Sequence, residues 1–252
     1  MRHMLKSLLP RFVVRGYRRY KLVLEERRNT DRSPGEVFSE IYRQRKWGGS
    51  ERFCSGGGSA TDTIVGPYVV AVSGFLRSFG TEKPRVVDLG CGDFSVGSRL
   101  VADCSSYVGV DVVPELVAHL QATSGGDHVR FLCLDMARDE LPAGDVCLIR
   151  QVFQHLSNEQ IGNVLAKLGR YRVVLVTEHY PHDGPSVVPN RDKVHGSGIR
   201  LFRNSGVYLD RPPFNVPKAN LELMLEVPGH GFDGFYDPGV IRTFRIVFPK
   251  PV

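Results

Sequence analysis

Three carboxylates stand at the ends of apolar runs. Asp88 lies in Val86-Val87-Asp88-Leu89 and is followed by the glycine turn Gly90-Cys91-Gly92-Asp93. Asp111 closes the run from Tyr107, 23 residues after Asp88, and Asp135, next to Met136, closes the run from Val129. Glycines in such a turn let the backbone approach a ligand, and the turn leaves N–H groups unsatisfied. A carboxylate after a second strand suits the two hydroxyls of a ribose. Asp135 could accept from an adenine amino group, with Met136 packed on the ring. Taken singly, Asp111 could also cap the following helix and Asp135 a turn. A dinucleotide turn would need a third glycine at position 95, which is Ser95. A carboxylate at Asp88 also repels a pyrophosphate and suits a cation.

Two further groups could act on an acceptor. Arg150-Gln151-Val152-Phe153-Gln154-His155 ends a fourth apolar run that begins at Asp145. His155 could serve as a general base toward a hydroxyl or could bind a backbone carbonyl; Gln151 and Gln154 could meet an amine. Glu178-His179-Tyr180-Pro181-His182-Asp183, followed by Asp192 and His195, is a second polar cluster. It could bind a divalent cation, but its irregular spacing favours hydrogen bonding to a polar substrate instead. Glu178, His179, His182 and Arg200 are therefore expected on the substrate side, and no metal site is assigned.

The elements that must position these groups alternate. Strands are predicted over 85–89, 107–111, 129–134, 145–149 and 172–177, with helices between them, one near 96–102. Ser33-Pro34-Gly35-Glu36 and Ser157-Asn158-Glu159-Gln160 are capping boxes that open two further helices. This order predicts an α/β, doubly wound, mostly parallel sheet, in which ligands bind beyond the carboxyl ends of the strands. Residues 178–217 lack a helical period, and late strands are predicted over 221–227 and 243–248. A helix over 61–79 precedes the first strand. Residues 1–30 read as an irregular or amphipathic arm, and 48–59, rich in glycine and serine, as a flexible loop.

The ordered set VVDLGCGD, YVGVD, FLCLDM and DVCLIRQVFQHLS resembles the class I S-adenosylmethionine-dependent methyltransferases over roughly residues 84–177. The resemblance implies a seven-stranded sheet with an antiparallel last strand, and a helical N-terminal extension fits ahead of it. It also implies S-adenosylmethionine as cofactor, with Asp88, Gly90 and Gly92 at its methionine part, Asp111 at the ribose and Asp135 with Met136 at the adenine. Gln151 joins this set, and His155 lies beside the reacting methyl group. Phe94 departs from the family, where a third glycine is common. The tail is loosely similar to bacterial methyltransferases of sugars and polysaccharides. The expected activity is O-methylation of a polar hydroxylated small molecule or glycan.

The division is 1–58, a basic arm, helix and lid loop, and 59–252, the methyltransferase domain. Trp47 and 48–59 are expected to close over the site. Residues 1–52 carry 14 Lys and Arg against 6 Asp and Glu, a net +8, while the rest sums to −2. A basic arm can meet nucleic acid, an acidic membrane surface or an anionic substrate. An RNA methyltransferase using Tyr17, Tyr20 and Trp47, or a non-catalytic protein of the same fold, are the alternatives. The acidic body speaks against nucleic acid; peripheral membrane contact stays open. No apolar run reaches the roughly 18–20 residues of a membrane span. Cys54, Cys91, Cys104, Cys133 and Cys147 are odd in number and lack a Cys-x-x-Cys pair. A cytoplasmic location is the expectation.

Overall fold

A computed structural model of the chain describes residues 11–50, 52–56, 61–229 and 238–248. The start of the arm, with Arg2 and Lys6, lies outside them. Seven strands form one sheet in the order β3-β2-β1-β4-β5-β7-β6. They are β1 (Arg85–Leu89), β2 (Ser106–Asp111), β3 (Val129–Cys133), β4 (Val146–Arg150), β5 (Val173–Tyr180), β6 (Leu221–Pro228) and β7 (Val240–Ile246). The first five run parallel, and β7 lies antiparallel between β5 and β6. β1, β2, β4 and β5 are buried along nearly their whole length because helices cover both faces, so they read as continuous apolar runs. The strand order reverses between β1 and β4, which opens a crevice at their carboxyl ends.

The described helices are α1 (Arg11–Asn29), α2 (Pro34–Arg43), α3 (Asp62–Arg77), α4 (Pro114–Ser124) and α5 (Asn158–Leu165). Both capping boxes form: Ser33 with Glu36 opens α2, and Ser157 with Gln160 opens α5. The arm, read as irregular or amphipathic, is a 19-residue helix where it is described. Two short 3-10 turns, Gly97–Arg99 and Val101–Asp103, replace the helix predicted near 96–102. Gly97 sits so close to Tyr107 that an added Cβ would lie 2.1 Å from its hydroxyl. The last strand starts three residues earlier than predicted. It pairs with β5 as far as Tyr180, drawing Glu178 and His179 into the sheet rather than into a loop.

Phe94 occupies the turn after β1 with φ +65°, the left-handed backbone that glycine adopts without strain. Its ring packs on Tyr107 and Phe131, at centroid distances of 5.3 and 4.9 Å. Backbone strain of about 1 kcal/mol is thus offset by a buried aromatic contact. Phe94→Gly and Phe94→Ala should both lower stability, by about 2–4 kcal/mol for the lost ring. Alanine keeps the strain that glycine relieves. Urea unfolding should therefore find the alanine variant less stable than the glycine variant by about 1 kcal/mol.

Candidate active site

The turn after β1 hangs from β2: the Gly90 and Cys91 N–H groups donate to the Val110 carbonyl at 2.8 and 3.0 Å. Gly90 has φ +80° and Gly92 φ +55°, and a Cβ at Gly90 would fall 2.4 Å from a Val152 methyl. Asp88, beneath the turn, accepts a hydrogen bond from the Tyr107 hydroxyl. Burial pushes its pKa up to about 6, against the pull of that bond and of Arg150. Asp111 accepts from the N–H groups of Gly92, at 3.2 Å, and Val113, at 3.1 Å. Burial, joined by the charge of Asp93, raises its pKa to about 6 as well, because the backbone donors do not replace the water lost. Asp135 accepts from the Ala137 N–H at 2.9 Å, so it does cap a turn, and it borders the same cleft together with Met136.

The segment after β4 is gripped from both sides. The Glu178 carboxylate, fully buried on β5, accepts from the N–H groups of Val152, Phe153 and Gln154 at 3.1, 2.8 and 3.1 Å. Burial pushes its pKa up to about 8 against these donors and Arg200. Arg200, also fully buried, donates to the carbonyls of Leu156 and Arg191 at 2.7 and 2.6 Å. This grip holds Gln151, at φ +56°, and His155 at the edge of the crevice.

His155 Nδ1 lies 3.1 Å from the Gly196 carbonyl, so Nδ1 carries the hydrogen and Nε2 the lone pair. Trp47 packs on the imidazole at 5.3 Å and Phe38 edge-on at 6.5 Å. Burial, reinforced by the charge of Lys193, lowers the His155 pKa to about 3. The ring is therefore neutral throughout the physiological range. The Lys193 Nζ donates to the His155 carbonyl at 3.2 Å, and burial with nearby Arg200 lowers its own pKa to about 7.

One cleft gathers Asp88, Gly90, Gly92, Asp111, Asp135, Met136, Gln151 and His155. It encloses about 1090 Å³, its open mouth included, which suits a nucleoside-sized ligand. The other predicted substrate residues do not border it. Glu178 and Arg200 are spent on the backbone of the β4–α5 segment. His179 Nε2 bonds the Pro238 carbonyl at 2.6 Å, and His182 is exposed beyond the end of β5. For Glu178 and His179 the reason is the extension of β5, which turns side chains expected in a loop into the sheet; Arg200 sits in a buried 3-10 turn. Among the described residues, no group of three or more His, Cys, Asp or Glu is placed to hold a metal ion.

The cleft also recruits residues that sequence reasoning did not assign to it, Phe38 and Tyr42 from α2, Tyr68 from α3 and Arg150, beside Gln154 and the loop residue Ser55. Arg150 and Gln154 lay within the strand-end motif already singled out. Phe38 and Tyr42 were hidden because an apolar helix face reads as core. Residues 51 and 57–60 of the expected lid loop lie outside the described residues. Trp47 borders the cleft, and Ser55 ties the loop to the glycine turn: its N–H donates to the Asp93 carboxylate and its Oγ accepts the Asp93 N–H, both at 2.7 Å.

Three polar atoms bordering this cleft are buried and have no partner among the described residues: Trp47 Nε1, Gln151 Nε2 and Gln154 Oε1. Such groups cost free energy unless a ligand meets them. Both Asp111 oxygens accept backbone N–H groups, and the carboxylate keeps a lone pair for a further donor. The residues thus fit a ligand with ribose hydroxyls and further polar groups.

Residues 86–172 match a family profile described as a methyltransferase domain. The fold is similar to that of the N-methyltransferase NodS from Bradyrhizobium japonicum WM9, a structure in complex with S-adenosyl-L-homocysteine. That likeness has a TM-score of 0.54 at 12% identity and covers 84% of this chain and 98% of that one. It is also similar to magnesium protoporphyrin IX methyltransferase from Synechocystis PCC 6803 with bound S-adenosylhomocysteine. Here the TM-score is 0.50 at 17% identity, with 85% and 97% of the two chains covered. No curated protein sequence matches the chain. Residues 86–172 thus resemble a methyltransferase domain, and the sheet order is that of the class I, Rossmann-like methyltransferase fold. Among the described residues no helix is long and apolar enough to cross a membrane.

The buried Lys193 gives this site a pH signature. The folded state holds the lysine proton only below about pH 7, whereas the unfolded chain holds it up to about 10.5. Between these values the unfolded state binds more protons, so this group makes stability rise with pH, by at most about 1.4 kcal/mol per unit. Denaturation of the wild type and Lys193→Met at pH 7, 8 and 9 should show the wild type gaining relative to the variant. Parallel curves would mean that Lys193 keeps its ordinary pKa.

Proposed function

We propose that the protein transfers a methyl group from S-adenosylmethionine to a hydroxyl of a polar, hydroxylated small molecule or glycan. The observation that carries this reading is the convergence of Asp88, the Gly90–Gly92 turn, Asp111, Asp135, Met136, Gln151 and His155 on one cleft. When bound, S-adenosylmethionine supplies an electrophilic methyl group on a sulfonium. In this reading Asp88 and the glycine turn hold its methionine part with Gln151, Asp111 receives the ribose hydroxyls, and Asp135 and Met136 flank the adenine.

On the acceptor side, His155 Nε2 offers a fixed lone pair to a hydroxyl. The low pKa makes His155 a weak base, yet an oxygen gaining a methyl group holds its proton only weakly. Neutral imidazole can therefore orient the hydroxyl and take the proton late in the displacement. Gln154 Oε1 and Trp47 Nε1 offer one acceptor and one donor to a polyhydroxyl substrate. The rings of Phe38, Tyr42 and Trp47 supply flat apolar walls for the carbon face of such a molecule. The polar acceptor thus rests on these residues, in place of Glu178, His179, His182 and Arg200.

Trp47, the only tryptophan, borders the cleft, so its emission can report ligand binding. S-adenosylhomocysteine should change that emission and NAD should not. Asp111→Asn should weaken binding by about 1–3 kcal/mol, the loss expected for a charged hydrogen bond. Binding to the wild type should also weaken as pH falls through about 6, because the protonated carboxyl accepts less well. An unaltered affinity in the variant would remove Asp111 from the cofactor site.

His155→Ala should lower kcat by about 100- to 10,000-fold with little change in S-adenosylhomocysteine affinity. At saturating cofactor, wild-type kcat should show no acidic limb near pH 6.5, since the imidazole stays neutral down to about 3. A limb at 6.5 that disappears in the variant would mean that the ring is solvated and titrates normally. Near-normal turnover by the variant would leave His155 a structural residue.

A further inference from the structure

The first described helix carries a surface that the proposed transfer does not use. Tyr17, Tyr20, Val23 and Leu24 on α1 are 54, 61, 42 and 44% exposed. Half of the large apolar side chains that stand exposed among the described residues are these four. At about 100° per residue they share one face of the helix. The opposite face is the one that docks on the body. Asn29 Nδ2 donates to the His195 carbonyl at 3.0 Å, the Ser197 hydroxyl donates to Glu25 at 2.7 Å, and Glu26 pairs with Arg203. Asn29 follows Tyr20 by nine residues, half a turn around the axis. The apolar stripe therefore points away from the body.

The helix holds seven Arg and Lys against two Glu; both Glu, and Arg28 through Glu40, are engaged by the body. Lys21 Nζ lies 4.9 Å from the Tyr17 ring at the edge of the stripe, and Arg27 is exposed beyond its end. A second copy of the helix would bring like charges together. A nucleic acid would use the cations but leave Val23 and Leu24 without a role. A surface with anionic headgroups above an apolar layer uses both, and tyrosine suits the boundary between them.

We infer that α1 is a docking helix for an anionic lipid surface, lying in the plane of the bilayer with Tyr17, Tyr20, Val23 and Leu24 inserted at the headgroup boundary. Its basic residues draw it to the membrane and its apolar stripe holds it there. The contact is reversible, since one short amphipathic stripe binds far more weakly than a membrane span.

The test uses the full chain and sedimentation with two sets of vesicles, phosphatidylcholine alone and phosphatidylcholine containing phosphatidylserine. The protein should pellet with the anionic vesicles, less so as salt is raised, and stay in solution with the neutral ones. Tyr20→Asp/Leu24→Asp should lower the partition by about tenfold or more. Both positions are exposed, so circular dichroism and the Trp47 response to S-adenosylhomocysteine should be unchanged. Equal binding to both vesicle types, or undiminished binding by the double variant, would overturn the proposal. So would a double variant that instead loses affinity for an RNA oligonucleotide or converts a dimer to a monomer.

Discussion

The Glu178 carboxylate fixes the path of the chain where β4 ends. Three consecutive N–H groups, those of Val152, Phe153 and Gln154, converge on its two oxygens inside the protein. Chain leaving a parallel strand must bend, and a bend exposes backbone donors that cannot stay unpaired in a buried place. One carboxylate answers three of them at once. Arg200 then takes the Leu156 carbonyl on the far side of the bend. Gln151 stands just before the first grip, Gln154 within it and His155 between the two, and these are the groups of this segment singled out for chemistry. Their positions thus depend on residues that touch no part of the cleft.

The same logic extends to the N-terminal helices. His155 is held through its ring by the Gly196 carbonyl and through its own carbonyl by the Gly196 N–H and Lys193. The segment carrying Gly196 is in turn tied to α1 through Glu25 and Asn29. From α2, Phe38 and Tyr42 pack around Trp47, which closes against His155. The N-terminal region is therefore part of the wall of the cleft as well as a basic extension. Displacing α1 would loosen the tautomer and orientation of the imidazole without touching the sheet.

What the sequence disclosed, and what it hid, follows from the range of the interactions. Asp88, Asp111 and Asp135 were legible because each ends a local apolar run, and parallel topology brings strand ends to one edge. The capping boxes were legible because their partners lie three residues apart. The scaffold position of Glu178 is hidden for the opposite reason. The length of β5 is set by β7, whose Arg242 pairs with Glu178 across some sixty residues of chain. No local pattern reveals that pairing, so a buried scaffold carboxylate looks like one in a polar loop. Phe94 was marked as a departure from a glycine, but the reason it is tolerated, a ring buried on Tyr107 and Phe131, is equally nonlocal.

The charges around the cleft also decide what kind of ligand it can hold. Asp88 and Asp111 are both buried, and burial, joined by the charge of a neighbouring carboxylate, lifts their pKa values to about 6. Arg150, whose guanidinium lies 5.0 Å from the centre of the Tyr68 ring, supplies the one cation of the β4 end bordering the cleft. His155 adds none, because burial keeps its ring neutral. Two buried carboxylates, with Asp93 and Asp135 also bordering the cleft, against one guanidinium repel a pyrophosphate and favour a ligand with a cationic centre and free hydroxyls. A dinucleotide would also need its phosphates against the turn where Ser95 and the bulky Phe94 stand in place of glycines. The glycine turn is shared by many nucleotide folds; the acids beside it make this one suited to a sulfonium cofactor.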